Sequence, residues 1–150
     1  MTTSRTTVYS ADKVDVMFAN IPIDSGYADG EFVTVEMMTD DASSKAGADG
    51  EVVFVDSTDR RATAKIMLLQ TSLGNTALSQ LRSAAAAAGL GSPVGQFSVF
   101  DRSSGVRLAF AEHAKLSKPA SVSRGKETKD TEWTLLLAHC DLRPEGNPSI

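Results

Sequence analysis

The amino-acid sequence predicts a mainly β protein: an antiparallel β-sandwich or barrel of about seven strands with one flanking α-helix. Short apolar or alternating segments recur at near-regular spacing, separated by turn residues, and only one segment has helical periodicity. The length of 150 residues fits one domain, and no repeat divides the chain. We therefore expect a single domain over residues 1–150, with flexible ends at 1–7 and 143–150 and long polar loops at 40–50 and 118–130.

Two strands are predicted near the N-terminus. Within Tyr9–Ile23, the side chains of Val14, Val16 and Phe18 alternate with less apolar ones, as in a strand buried on one face. A second strand is predicted over Glu31–Thr39, where β-branched and aromatic residues cluster.

The central part of the chain combines a polar loop with two strands. Asp40–Gly50 has no large apolar side chain and is predicted to be a long, flexible loop. Glu51–Asp56 is predicted to be a short, strongly apolar strand. Arg60–Thr71 begins with alternation and becomes apolar on both faces towards Leu69, which predicts a strand end covered on both sides.

The predicted helix covers Asn75–Ala88. Asn75 is a suitable N-cap because its side-chain oxygen can accept a free N–H of the first turn. Leu78 and Leu81 begin its apolar stripe, and Gly89 suits the position after the helix end. The second half of the helix is mostly alanine, which permits close approach to a neighbouring element.

Three further strands follow the helix. Gln96–Asp101 and Val106–Lys115 are predicted to form a hairpin whose short polar turn contains Gly105. The last strand is predicted over Thr131–Leu142, with Trp133 and every second residue after it on one face. The predicted core residues are Val16, Phe18, Ile66, Leu68, Leu78, Leu81, Trp133 and Leu135.

The residues that carry chemistry form no recognised catalytic or metal-binding pattern. The only cysteine, Cys140, follows His139 directly, and neighbours in a strand point to opposite faces, so the two side chains cannot pair there. No G-x-S-x-G, zinc or phosphate-loop motif is present. The pair Asp40–Asp41 lacks the spacing of a calcium loop. We expect no catalytic, metal or cofactor-binding residues, no cofactor, and no enzymatic activity.

The charge and hydropathy also limit the function. A net charge of −4 does not suggest a protein that grips nucleic acid. The basic pair Arg60–Arg61 has no interleaved aromatic residue, and it can either pair locally with Asp56 and Asp59 or contact another subunit. The longest apolar run, Ala84–Leu90, is too short for a membrane span, and the N-terminus does not resemble a signal peptide.

The order of these elements resembles that of tail-tube proteins from contractile-tailed bacteriophages. In that family a G-x-D-G turn, here Gly47–Gly50, leads into a short strand. A K-I-x-L-L-x-T-S strand follows, here Lys65–Ser72, and then a helix with L-x-x-L that starts at Asn75. A G-x-x-x-x-D-x-x-W-x-L pattern closes the domain, here from Gly125 to Leu135. In element order the resemblance covers residues 9–142.

The resemblance implies a structural virion protein whose hexameric rings stack into the inner tube of a contractile tail, the conduit for genome ejection. Its implied partners are further copies of itself, the tail sheath protein, a baseplate or tube initiator, the tape-measure protein and the tail terminator. Double-stranded DNA would pass without specific binding, and no membrane anchoring is implied. The implied location is the phage tail of the virion, assembled in the bacterial host cytoplasm.

The loop Asp40–Gly50 is the expected ring-to-ring contact. The helix is expected on the outside of the tube or between subunits, where a sheath protein could dock. The interface candidates are Asp40, Asp41, Ser43, Lys45, Asp49, Glu51, Arg60 and Arg61. The net charge of −4 suggests a lumen that repels phosphate. Two alternatives remain open: the tube of a tailocin or type VI secretion-like injection machine, and a small β-barrel binding module, which predicts a stable monomer with a ligand pocket.

Overall fold

A computed structural model describes residue 6 and residues 8–23 and 26–145. Within these residues the chain forms one α-helix, α1 (Leu73–Ala87), and ten strands. The strands are β1 (Val14–Phe18), β2 (Ile21–Ile23), β3 (Val33–Met37), β4 (Ala42–Ala46), β5 (Val52–Asp56), β6 (Ala62–Leu69), β7 (Val94–Asp101), β8 (Val106–Lys118), β9 (Asp130–Leu137) and β10 (Cys140–Leu142). The predicted mainly β class with one helix is confirmed.

Eight strands form one antiparallel sheet in the order β2-β1-β7-β8-β9-β6-β3, with β10 pairing along the first half of β8. The two remaining strands, β4 and β5, pair only with each other. The sheet therefore has edge strands at β2 and β3, whereas the β4–β5 hairpin stands apart from it.

A short segment after β2 brings the two ends of the sheet together. The backbone of Gly26 and Ala28 bonds to β6 through Leu69 N to Gly26 O (2.7 Å) and Ala28 N to Met67 O (3.1 Å). The Tyr27 hydroxyl donates to the carbonyl of Val14 in β1 (3.2 Å). This segment therefore links β1 and β6, which lie near opposite ends of the strand order.

One apolar cluster fills the concave side of the sheet. Phe18 and Phe97 lie on neighbouring strands at its centre and are fully buried. Seven of the eight predicted core residues are buried, and Leu81 is partly buried against the cluster. The helix contributes Leu78, which is 1% exposed. The core follows the period-two patterns of β1, β6 and β9, because alternate side chains of a strand share one face.

Three strands were absent from the sequence-based prediction. The predicted first strand turns back at Ala19 and Asn20, which have φ of 51° and 65°, and its end becomes β2. The predicted last strand breaks at Ala138 and His139, and its end becomes β10. The predicted flexible loop 40–50 is wrong in part, because residues 42–46 pair with β5.

The start of the helix and the cover over β6 also differ from the prediction. Ser72, not Asn75, is the N-cap, and its hydroxyl accepts the N–H of Gly74 (3.2 Å). Asn75 instead binds the Leu69 carbonyl (2.9 Å) and accepts the indole N–H of Trp133 (2.8 Å). The expected cover over both faces near Leu69 is wrong for the single chain, where that side chain is exposed.

The predicted flexible ends fall mostly on residues 1–5, 7 and 146–150, which lie outside the described residues. Within the described part, Arg143 is held by its backbone N–H, which donates to the Leu108 carbonyl (2.7 Å). No helix in the described part of the chain is long and apolar enough to cross a membrane.

Candidate assembly surface

The β4–β5 hairpin is held at its tip by turn chemistry. Gly47 N donates to Glu51 O (2.7 Å), and Gly50 N donates to Gly47 O (3.0 Å). Gly50 has a φ of 90°, which a side chain would disfavour. The Asp49 carboxylate accepts the N–H of Glu51 (3.1 Å), which adds a side-chain hydrogen bond to the turn.

Hydrogen bonds and two ion pairs fix the base of the hairpin. Arg61 reaches Asp59 through its Nε and Nη2 atoms, the latter 2.9 Å from Oδ2. Thr39 also donates to Asp59 (2.6 Å). The hydrogen bonds from Arg61 and then Thr39 hold the pKa of the Asp59 carboxyl well below its ordinary value. On the other side, Arg60 Nη1 lies 3.5 Å from Asp41 Oδ1.

The strands of the hairpin are exposed along their whole length, although β5 is strongly apolar. Every residue of β4 and β5 is exposed. Phe54 is 78% exposed, and Val52, Val53 and Val55 are each more than half exposed. An isolated two-stranded hairpin is marginally stable, and an exposed apolar strand readily pairs with another chain. We therefore expect the folded hairpin to become more stable when another protein surface covers its apolar strand.

The hairpin also carries the net charge of the chain. Residues 40–56 contain five acidic residues and one basic residue, Lys45, so this segment has a formal charge of −4. The remainder has 14 acidic and 14 basic residues and is balanced. Consequently, the total charge that suggested an acidic lumen is concentrated on one projecting element and does not describe the faces of the sheet.

The predicted interface residues all lie on this element or at its base. Ser43 and Lys45 are on β4, Asp49 and Glu51 are in the turn, and the others flank the two strands. The structure brings them together at one exposed hairpin. Arg61 makes the local ion pair with Asp59 that the sequence offered as one interpretation, whereas Arg60 pairs with Asp41 and not with Asp56.

The exposure of Phe54 and its three valine neighbours was not predicted from the sequence. Their unbroken apolar run was the available signal, because a strand that is apolar on consecutive positions needs cover on both faces. In the single chain neither face of β5 is covered.

Outside the hairpin, the ionisable residues of the described part of the chain show no grouping typical of a catalytic centre. His113 and His139 are exposed, whereas Cys140 is buried, and burial raises the pKa of its thiol. Among the described residues, no three His, Cys, Asp or Glu side chains could share a metal ion. A polar groove of about 520 Å³ runs beside α1, and Arg124 is the one charged residue in its lining.

The fold and the exposed hairpin are features of a structural assembly subunit. A sequence profile of the family described as "Bacteriophage PhiTE tail tube protein" matches residues 2–143. Since the match covers nearly the whole chain, the chain belongs to this family of phage tail tube proteins. The resemblance inferred from the sequence is therefore confirmed at the level of the family.

A solved structure gives an independent likeness in fold. The chain is similar to a protein in the "Cryo-EM structure of the anti-feeding prophage cap (AFP tube terminating cap)", with a TM-score of 0.57 and 9% identity over 95% of both chains. No curated protein matches the chain significantly. At this low identity the likeness concerns the fold alone.

Proposed function

We propose that this chain is the subunit of the inner tube of a contractile phage tail, in which hexameric rings stack into a hollow conduit for genome ejection. The observation that carries the proposal is the hairpin, where an apolar strand stands fully exposed on a chain of the tail tube family. A heterologous contact, in which one patch meets a different patch of the next copy, closes into rings or extends into helical tubes. A tube of stacked rings needs closure within each ring and extension from one ring to the next.

The sheet edges supply a second place for self-association. β2 and β3 end the sheet and leave a row of backbone groups without strand partners on their outer sides. Pairing between edges of adjacent copies would satisfy these groups and continue the sheet around a ring. Pro22 limits pairing along β2, since it lacks a backbone N–H, so β3 is the better edge.

We also propose that double-stranded DNA passes through the tube without specific binding. Outside the hairpin the charges balance, and the chain has no basic surplus that would hold phosphate. The earlier idea of a repelling acidic lumen then applies only if the hairpin lines the channel. The other proposed partners are the sheath, the tube initiator, the tape-measure protein and the terminator, with assembly in the host cytoplasm.

Electron microscopy of the purified protein across a concentration series tests the proposal. Hollow tubes are the expected result. Single rings that never stack would favour a tube-terminating cap, as the structural neighbour is named. Monomeric particles at every concentration, together with no tubes in a lysate of the source, would favour the small binding module. Tubes from a tailocin or a secretion-like machine would look alike, and neighbouring capsid or secretion genes separate those cases.

A further inference from the structure

A shallow apolar groove lies on the outer face of the sheet, at the base of the hairpin. Its walls are Met38, Val94 and Leu136, whose side chains are 51%, 57% and 44% exposed, and its volume is about 320 Å³. Val94 and Leu136 flank Lys115 in one row across β7, β8 and β9. Met38 is joined to the start of β6, because its N–H donates to the Arg61 carbonyl (3.0 Å).

The ionisable side chains that line this groove are basic. Arg61, His113 and Lys115 line it, and no acidic residue does. Arg61 already binds Asp59, whereas Lys115 has no ion pair within the described part of the chain. The groove therefore combines apolar walls with a lysine between Val94 and Leu136 whose charge has no ion-pair partner in the described part of the chain.

The hairpin has the complementary character. It presents Val52 and Phe54 on one face and Val53 and Val55 on the other, and residues 40–56 carry a net charge of −4. Apolar surface and charge thus match between two different patches of the same chain. None of residues 42–56 lines this groove, and every residue of β4 and β5 is exposed, so the match can be used by a second copy.

We propose that the groove is the receptor for the hairpin of a neighbouring copy, with Phe54 inserted between Met38, Val94 and Leu136 and the acidic flank facing Lys115. This inference rests on the proposed tube function and names the two surfaces that form its contact. The contact is heterologous, so each copy offers one hairpin and one groove, and the chain of contacts continues from copy to copy.

Cross-linking tests the contact directly. Val52→Cys and Ala138→Cys place thiols on the Phe54 face of β5 and on the groove lining, and they leave Phe54 and the groove walls intact. With a short bis-maleimide, the double variant is expected to give a ladder of covalent multimers. Each single variant can give at most a dimer. Wild type is expected to give none, since its one thiol, Cys140, is buried.

The matched control pairs Val52→Cys with Val122→Cys, because Val122 is an exposed valine in the loop after β8, outside the groove. Tubes that form but give a ladder only with the control pair would overturn the groove assignment and leave the tube function intact. Tubes that give no ladder with either pair would overturn the groove assignment as well. If the wild-type chain forms no tubes or rings at all, the proposed function and the contact fail together.

A charge reversal provides a second readout. Lys115→Glu places an acidic group between the groove walls, against the acidic hairpin, and like charges in a contact are strongly unfavourable. We expect the protein concentration needed for assembly to rise about tenfold or more. Lys118→Glu, on the same strand but outside the groove, is expected to change it much less. Equal effects of the two variants would contradict the proposal.

Discussion

Replacing Phe54 by alanine separates assembly from folding. The side chain is 78% exposed in the single chain and contributes nothing to the core. A phenylalanine side chain buries about 150–250 Å² of surface when it is fully enclosed, so roughly 120–190 Å² of Phe54 is available for burial in a contact. At about 25 cal/mol per Å² that area corresponds to roughly 3–5 kcal/mol on full burial. Because alanine keeps part of the contact, we expect a loss of about 2–3 kcal/mol per subunit contact.

The assay is the concentration at which tubes begin to sediment. A loss of about 2–3 kcal/mol raises that concentration roughly 30- to 150-fold. The free energy of unfolding of the unassembled subunit is expected to change by no more than about 0.5 kcal/mol. Leu73→Ala is the control, because Leu73 is also 78% exposed but lies at the start of α1. A change below about threefold, or an equal change in the control, would refute the role of Phe54.

Three further predictions concern the fold. Leu78→Ala removes the helix side chain that is 1% exposed in the core, and should cost about 3 kcal/mol in urea unfolding, against about 0.5 or less for Leu73→Ala. Gly95→Ala places a methyl group 2.5 Å from the Cβ of Ala19 and should lower the melting temperature by several degrees. Asp59 should titrate, by NMR, below the ordinary carboxyl value of about 3.9, so that its contribution to the hairpin base is present above that pH and is lost on further acidification.

Each of these has a clear contrary result. Equal unfolding free energies for the two leucine variants would mean that α1 does not use Leu78 to hold the core. An unchanged melting temperature for Gly95→Ala would mean that the β1–β2 turn can move aside freely. A titration midpoint for Asp59 at or above about 3.9 would mean that its bonds to Arg61 and Thr39 do not persist in solution.

The main sheet could be predicted because its core strands carry regular patterns. Val14, Val16 and Phe18 alternate with positions that are half-buried or exposed, and so do the buried residues of β6 and β9. The helix could be placed from Leu78, with an error of two residues at its start. That error arose because Asn75 and Ser72 are both good caps, and the bonds of Asn75 to the Leu69 carbonyl and to Trp133 are tertiary contacts that the sequence does not show.

The remaining strands and the groove depend on pairing between strands, which no local sequence pattern predicts. β4 contains only alanine, serine and lysine, and it is a strand because β5 pairs with it across a glycine turn. The groove joins Met38, Val94 and Leu136 from widely separated parts of the chain, so its existence depends on the strand order and register. The interface candidates lie together near the hairpin because charged and turn residues are close together there in the sequence, and their role in an interface stays a prediction.

The most direct test of the account is a cryo-electron-microscopy helical reconstruction of tubes formed by this chain. We expect hexameric rings in which β5 of every subunit, from Val52 to Val55, is buried against another copy. Tubes in which this strand remains exposed to solvent would contradict the central claim that the hairpin is the assembly surface.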